Sequence, residues 1–115
     1  MVPPEGKALV YIIRYLKGKS GSLKTICDGK YLGGTKVRTF LYTFLDPGTH
    51  KFITEGGEAN ITELELNVEA GKTYFLEQKF PHGMFTQHTT IQIVESDARK
   101  YLTKCKLSKD TELKV

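Results

Sequence analysis

The sequence predicts an all-β, mainly antiparallel fold: an Ig-like or prealbumin-like β-sandwich of about seven strands with one C-terminal α-helix. Short runs rich in β-branched and aromatic residues recur along the chain, and glycine-containing corners separate them. Helical spacing of apolar residues begins only near position 96. A length of 115 residues suits a single domain, residues 1–115, around one core.

The first half of the chain alternates extended runs with tight turns. The run ALVYIIRY (8–15) is apolar at both alternating sets of positions, which predicts a strand buried on both faces. Asp28-Gly29 predicts a type I′ hairpin turn, because both central residues of that turn need positive φ. The run from 36 to 45 alternates between two faces and predicts a further strand.

Two glycine corners follow. Pro47-Gly48 predicts a type II turn, since proline fixes φ at its first central position and glycine accepts positive φ at the second. A turn is also predicted at Ala70-Gly71, and both corners are expected to close hairpins. Between them, the run from 61 to 69 alternates apolar with acidic and amide residues, so one face of this strand is predicted to face solvent.

The tail changes from strand to helix periodicity. A helix of about residues 96–107 is predicted, with Ser96 as its N-cap and a frayed polar segment after it. The apolar stripe of this helix is spaced at i, i+3, i+4 and i+7 and consists of Ala98, Tyr101, Leu102 and Cys105.

Composition argues against several functional classes. The net charge of +4 and pI near 9.0 are mildly basic, but the lysines are scattered, with a modest excess near the C-terminus, and no nucleic-acid-binding module is recognisable. We therefore expect no nucleic-acid partner. No apolar run is long enough for a transmembrane helix. Neither a Gly-x-Ser-x-Gly elbow nor a phosphate loop occurs, so we expect no enzyme activity and no cofactor.

Two cysteines permit two interpretations. A disulfide between Cys27 and Cys105 would suit a small exported domain. Alternatively, both are buried free thiols, since Cys27 lies in an apolar strand and Cys105 on the apolar stripe of the tail, where thiols act as small hydrophobes.

The segment PHGMFTQH places three candidate metal ligands close in sequence: His82, Met84 and His88. Imidazole and thioether ligands of this kind could hold copper. The alternative is a solvated loop histidine followed by a histidine at the start of a strand. His50 follows the Pro-Gly corner and is expected to cap the turn or pack against the next strand.

An aromatic row on the predicted strand from 36 to 45 is the strongest candidate for a binding surface. Phe40, Tyr42 and Phe44 share one face of the strand. Pointing inward, they belong to the core. Pointing outward, they form an apolar patch for a partner, a glycan or a lipid.

Five segments, in order, resemble a bacterial family called domain of unknown function 2846, found largely in cell-envelope lipoproteins. They cover about nine tenths of the chain and read GKALVYIIR, CDGKYLGG, LDPGTHKF, VEAGKTYFLEQ and IVESDARKYLTKCKL. The middle, with its DGK…G…PGTHKF layout, also resembles PEGA-type surface domains.

The resemblance implies an exported β-sandwich tethered to a membrane by a lipid, in the periplasm or cell envelope, with the outer membrane as one place of anchoring. It implies no reaction and no catalytic residues. This sequence carries neither a lipidated N-terminal cysteine nor a signal sequence, so a tether would come from a longer precursor, and a cytosolic protein is the alternative.

Three functional hypotheses therefore follow from the sequence. The first is a non-catalytic envelope module that binds or scaffolds a protein or glycan partner, as the soluble part of a lipoprotein. The second is a small periplasmic protein that binds a metal or ligand through the loop from 82 to 88. The third, a hydrolase, would need a site assembled from residues distant in sequence.

Overall fold

The computed structural model describes residues 1–16, 22–56, 61–80 and 88–111. In these ranges the chain forms nine strands and one helix. In chain order the elements are β1 (Ala8–Arg14), β2 (Leu23–Cys27), β3 (Lys30–Thr35), β4 (Thr39–Leu45), β5 (Gly48–Glu55), β6 (Ile61–Val68), β7 (Thr73–Lys79), β8 (Thr89–Gln92), α1 (Glu95–Leu102) and β9 (Lys106–Leu107).

The strands form two sheets that pack face to face. Sheet A has the order β8-β7-β1-β4-β9, and sheet B has the order β3-β2-β5-β6. Neighbouring strands are antiparallel except for the β1–β7 and β4–β9 pairs, which are parallel. The predicted all-β sandwich is confirmed, although the strands outnumber the expected seven.

Strand β1 lies at the centre of sheet A, and all of its residues are buried. One of its faces packs against sheet B in what we call the inter-sheet core, whose members are Ala8, Val10, Ile12, Cys27, Leu32, Leu41, Phe52, Leu66, Val68 and Leu76. Its other face packs under α1 in what we call the outer cluster, whose buried members are Leu9, Tyr11, Ile13, Phe75 and Ala98. The prediction that β1 is buried on both faces is therefore confirmed, and this burial explains its unbroken apolar run.

The predicted turn at Asp28-Gly29 is confirmed. Asp28 has φ of 51° and Gly29 has φ of 83°, as a type I′ turn requires, and the turn joins β2 to β3. An aspartate tolerates the left-handed region better than most side chains because its short carboxyl can bond locally.

The two glycine corners do not close hairpins, contrary to the prediction. Pro47-Gly48 carries the chain from β4 in sheet A to β5 in sheet B, and Ala70-Gly71 carries it back from β6 in sheet B to β7 in sheet A. Both β4 and β7 pair with β1 instead of with the strands beside them in sequence. Because β1 is central, it needs a partner along each edge, and the corners deliver the two strands to those edges.

Strand β6 has the predicted solvent face, with one exception at its first residue. Glu63, Glu65 and Asn67 are exposed, while Leu66 and Val68 are buried. The alternation places Thr62 on the inner side, so Ile61 lies on the outer face and is 55% exposed. The alternation is thus regular in space, and Ile61 is simply an apolar residue on the solvent face.

The helix is shorter than predicted and begins differently. It spans Glu95–Leu102 rather than about 96–107, and its N-cap is Val94, without a side-chain cap, rather than Ser96. Glu95 and Asp97 in the first turn interact favourably with the helix dipole in place of a cap. No helix in the described ranges has the length and apolarity needed to cross a membrane.

The predicted stripe still faces the core: Ala98 is buried, and Tyr101, Leu102 and Cys105 pack on the outer cluster. Fraying was expected after Leu107, but residues 108–111 bond to both sheets, which corrects that expectation for these residues. Residues 106–107 form β9 against β4 because the amides of Lys106 and Ser108 donate to the carbonyls of Arg38 and Phe40 at 3.0 and 2.9 Å. An edge strand thus supplies the hydrogen bonds that another helical turn would otherwise supply.

A buried polar network joins the two sheets near one end of the sandwich. Gln78 of β7 is fully buried and donates to Thr25 Oγ1 at 2.7 Å and to Thr54 Oγ1 at 3.2 Å, both in sheet B. Its Oε1 accepts from Thr35 Oγ1 at 2.6 Å. Each polar atom of the amide group therefore has a partner, as burial demands.

Candidate functional site

A pocket of about 400 Å³ opens where the C-terminal segment runs between the two sheets. We call it the seam pocket. Its lining comes from the start of β2, from β3, from the turn before β4 and from the C-terminal segment, and consists of Ser22, Gly34, Lys36, Thr39, Lys106, Leu107, Ser108, Lys109 and Asp110.

The C-terminal segment builds the seam by bonding to both sheets. Strand β9 adds to sheet A beside β4, with Thr39 opposite Lys106. Beyond it, the carbonyl of Asp110 accepts from the Gly34 amide at 2.9 Å, and Thr111 bridges to Gly33 on the edge of sheet B. The segment therefore covers one edge of each sheet and ties them together.

Local hydrogen bonds fix the walls of the seam pocket. The Thr39 hydroxyl accepts from the Lys36 amide at 2.9 Å and donates to the Lys36 carbonyl at 2.7 Å, which holds the turn before β4. The buried Ser108 hydroxyl donates to the Gly34 carbonyl. A side chain at Gly34 would collide with the Ser22 hydroxyl and come within 2.8 Å of an Asp110 carboxyl oxygen. A larger residue at position 34 would therefore push the Ser22 and Asp110 side chains out of these positions.

The seam pocket is positively charged. Lys36, Lys106 and Lys109 line it, and none of these three has an ion pair within the described ranges. The only acidic lining residue is Asp110, whose carboxyl accepts from the Tyr31 hydroxyl at 2.7 Å. The side chains that line the seam pocket offer ammonium and hydroxyl donors. Such groups are better suited to binding a ligand than to catalysing a reaction on it.

The aromatic row lies on the outer face of sheet A. Phe40, Tyr42 and Phe44 are half-buried and pack against the outer cluster, with the Tyr42 ring 6.4 Å from Tyr11 and 5.8 Å from Phe44. Leu41 points the other way, into the inter-sheet core. The row therefore extends the packing beneath α1 while keeping part of its surface open.

Cys27 and Cys105 are both free thiols, so the disulfide interpretation is not realised. Cys27 lies in the inter-sheet core and Cys105 packs on the outer cluster, so sheet A stands between them. Burial, with the Asp28 charge and hydrogen bond adding to it, raises the pKa of Cys27 to about 12. Burial also raises the pKa of Cys105.

Of the three candidate metal ligands in PHGMFTQH, His82 and Met84 lie outside the described residues. His88 is 3% exposed, with its Nδ1 3.2 Å from Thr62 Oγ1 and its ring edge-on to Phe80. The metal site therefore stays a prediction. The described histidine is packed between strands.

One cluster was not predicted from the sequence. Ligand-type atoms of Cys27, Asp28 and His50 lie within 4.8 Å of one another at the β2–β3 turn. His50 Nδ1 is 2.5 Å from Asp28 Oδ2, and its Nε2 is 2.7 Å from the Asp46 carbonyl oxygen. The Asp46 carbonyl can only accept, so Nε2 donates to it, and with a deprotonated Asp28 at Nδ1 the doubly protonated imidazolium is the form that satisfies both contacts.

The charge state of His50 is opposed by burial and favoured by its neighbours. Burial by itself would lower its pKa, but the hydrogen bonds to Asp28 and to the Asp46 carbonyl, with the two carboxylate charges, raise it above its usual range. The pKa of Asp28 is lowered, first by the Lys51 amide and then by His50. The bonds of Asp28 to His50 and to the Lys51 amide make this cluster a brace between β5 and the turn that follows β2.

Sequence inspection missed the seam pocket because its lysines are separated by up to 73 positions and share no motif. A partial signal existed in the lysine excess near the C-terminus, which includes Lys106 and Lys109. Only the pairing of β9 with β4 brings those two beside Lys36.

The fold and site define a small two-layer β-sandwich domain whose C-terminal segment closes a lysine-lined pocket. The family described as "Protein of unknown function (DUF2846)" matches residues 4–90, and the chain belongs to this family. A protein of Haemophilus influenzae (strain Rd), named only as an uncharacterized protein, is 29% identical over 108 residues. That alignment covers 92% of this chain and 64% of the relative, so the chain spans less than two thirds of the relative's length.

Proposed function

We propose that this chain is a non-catalytic binding or scaffolding module of the bacterial cell envelope, the soluble part of a lipoprotein, which holds its ligand in the seam pocket. The observation that carries the proposal is the pocket itself. It is built by hydrogen bonds from both sheets, has a volume of about 400 Å³, and presents charged side chains without ion-pair partners in the described ranges. Pockets of 300–1,000 Å³ are the usual size for small-ligand sites.

The state of the reactive groups supports binding over catalysis. Nucleophilic catalysis needs an accessible nucleophile beside a free base. In the described part of the chain, the Cys27 thiol is buried with a pKa of about 12, and both nitrogens of His50 are occupied. The family resemblance supports the envelope as the compartment.

Ligand binding is tested by NMR on the ¹⁵N-labelled chain. We would add soluble peptidoglycan fragments, lipopolysaccharide or phospholipid vesicles in separate titrations and follow the amides of Gly34, Thr39 and Ser108. Gly71, at the opposite end of sheet A, is the internal control. We expect at least one component to perturb the pocket amides and leave Gly71 unchanged, with no change in the chemical composition of the added component.

The proposal fails if none of these components perturbs the pocket amides, or if a component is chemically converted during the titration. Compartment is tested separately by fractionating the source bacterium and detecting the protein with an antibody. We expect it in the periplasmic or membrane fraction; recovery in the cytosol would contradict the envelope assignment.

A further inference from the structure

We propose that the ligand of the seam pocket carries an anionic phosphate group that Lys36, Lys106 and Lys109 bind together. This inference rests on the proposed function and adds the chemical class of the ligand. The group could belong to a soluble phosphorylated molecule or to a lipid headgroup. Both present the same chemistry to the pocket.

The first argument is the convergence of positive charge. The three lysines come from separate parts of the chain, the turn before β4, strand β9 and the segment after it, yet line one pocket. Like charges gathered in this way repel one another. Because none has a carboxylate partner in the described ranges, a bound anion would relieve that repulsion.

The second argument is the position of the one acidic residue. Asp110 offsets one of the three lysine charges, but its Oδ2 accepts from the Tyr31 hydroxyl at 2.7 Å and it forms no ion pair with a lysine in the described ranges. Its backbone is also fixed, because its amide donates to Ser108 Oγ at 3.2 Å. The lining therefore keeps a formal excess of positive charge, with three lysines to one aspartate.

The third argument is the kind of donor. Lysine ammonium groups bind phosphate as point charges and do not need the planar match that arginine offers to carboxylates. Ser22 adds a hydroxyl to the wall, and Leu107 adds an apolar surface. A pocket of about 400 Å³ exceeds a lone phosphate, so the ligand would carry an organic group against Leu107.

The test compares two triple variants of equal charge. Lys36→Gln/Lys106→Gln/Lys109→Gln removes the charges of the seam pocket. Lys30→Gln/Lys100→Gln/Lys104→Gln removes three exposed lysines that do not line it. Both are titrated with glycerol 1-phosphate, and with vesicles of phosphatidylglycerol or phosphatidylcholine, while the amides of Gly34 and Ser108 are followed. Circular dichroism confirms that both variants are folded.

We expect wild-type protein and the control triple to bind a phosphate-bearing probe, and the pocket triple to bind at least about tenfold more weakly, since charge-assisted hydrogen bonds are lost. Binding should weaken as salt is added. Binding of glycerol 1-phosphate would identify a soluble ligand. Binding of phosphatidylglycerol vesicles alone, and not of phosphatidylcholine vesicles, would identify a lipid headgroup.

Equal loss in both triples would overturn the inference, because net charge and not the pocket would then be responsible. Pocket amides that respond to a neutral glycan and not to any phosphate probe would also overturn it, while the proposed binding function would stand. If no probe perturbs the pocket, both the inference and the proposed function fail.

Discussion

At the residue scale, the clearest feature is the brace formed by Asp28 and His50. Asp28 takes a left-handed conformation at the β2–β3 turn, and its two carboxyl oxygens contact the Lys51 amide and the His50 ring. The local sequence around Asp28-Gly29 is enough to predict the turn. The partner of the carboxylate, 22 positions away, is set by the pairing of β2 with β5.

This brace predicts a pH-dependent contribution to stability. His50 has a raised pKa in the folded state, so its contribution is complete below the unfolded value and is lost as pH rises through the folded value. Asp28 has a lowered pKa, so its contribution is lost as pH falls through the folded value. The brace should therefore stabilise most between about pH 4 and pH 6.5, the ordinary values of the two groups.

The measurement compares wild type with His50→Gln by urea unfolding from pH 3 to pH 9. We expect His50→Gln to cost about 1 kcal/mol within the window and less on either side, because Asp28 is half exposed and solvent screens the pair. Asp28→Asn is the matched variant, since asparagine also tolerates the turn. A loss that stays constant from pH 5 to pH 9 would contradict the imidazolium assignment.

Glu77 gives a second prediction at this scale. It is 3% exposed, faces the underside of α1, and its Oε2 has no hydrogen-bond partner in the described ranges. Burial raises its pKa, Lys79 lowers it in part, and Asp97 raises it again. The folded state therefore holds its proton more tightly than the unfolded state, and wild type loses stability as pH rises from the unfolded value towards the folded one.

Glu77→Gln should remove that loss. We expect it to be more stable than wild type by about 1 kcal/mol at pH 7, with the advantage shrinking as pH falls from the folded pKa towards the unfolded value of about 4.5 and absent below it. Glu65→Gln, on the exposed face of β6, serves as the control and should change little. Destabilisation by Glu77→Gln at neutral pH would show that the carboxylate has a favourable partner when charged.

At the element scale, the segment from 106 to 111 connects the edges of the two sheets. The sequence places residues 106–107 at the end of the predicted helix and predicts fraying after them, yet the segment pairs with β4 and with β3. The neighbour that makes this possible is Gly33, where φ is 149°. A Cβ there would collide with the Asp110 carbonyl and lie 2.9 Å from both Thr111 Cα and Leu41 Cδ2.

Gly33→Ala should therefore displace the C-terminal segment and open the seam pocket. The matched control is Gly48→Ala, because Gly48 has φ of 130° and nothing within 4 Å of its hypothetical Cβ. We expect Gly48→Ala to cost only the backbone strain, on the order of 1 kcal/mol, and Gly33→Ala to cost distinctly more. Thermal unfolding measures both, and equal losses would mean that the segment does not pack tightly on β3.

The buried face of helix α1 was predicted correctly, but its two ends were not. The stripe from Ala98 to Cys105 packs on the outer cluster as its spacing predicts. The helix nevertheless ends at Leu102, because the following residues gain hydrogen bonds by joining β4. Side-chain periodicity predicts which face is buried, but it does not identify the competing strand edge.

At the scale of the whole molecule, the two sheets are joined by buried polar contacts as well as by apolar packing. Gln78 reaches from sheet A to three threonines of sheet B. Hydrogen bonds are directional, so this contact holds the sheets at one relative position, which apolar packing alone defines less sharply.

Gln78→Leu should thus destabilise the whole domain. It leaves the hydroxyls of Thr25 and Thr35 without their partner inside the sandwich, and we expect a loss of about 3 kcal/mol in the free energy of unfolding. Gln92→Leu, at an exposed position on β8, makes the same chemical change and should alter stability by less than about 0.5 kcal/mol. Equal midpoints of chemical unfolding for the two variants would show that the network does not stabilise the fold.

The sequence alone determined those features that depend on neighbours along the chain. Alternation of apolar and polar residues predicted the strands, Asp28-Gly29 predicted its turn, and the spacing from Ala98 predicted the buried face of the tail. Each follows from local geometry, since side chains repeat every two residues in a strand and about every 3.6 in a helix, and since positive φ restricts which residues can turn.

The tertiary structure decided which elements pair, and with that decision the candidate site. The Pro-Gly pair predicts a change of chain direction but not the strand that follows it: Gly48 begins β5 with φ of 130°, and the demand of β1 for partners on both edges selects the crossing between sheets. The same pairing separates Cys27 from Cys105 and gathers Lys36, Lys106 and Lys109 around one pocket. Contacts between residues distant in sequence depend on how the two sheets pack and which strands pair. Local periodicity does not determine either of these.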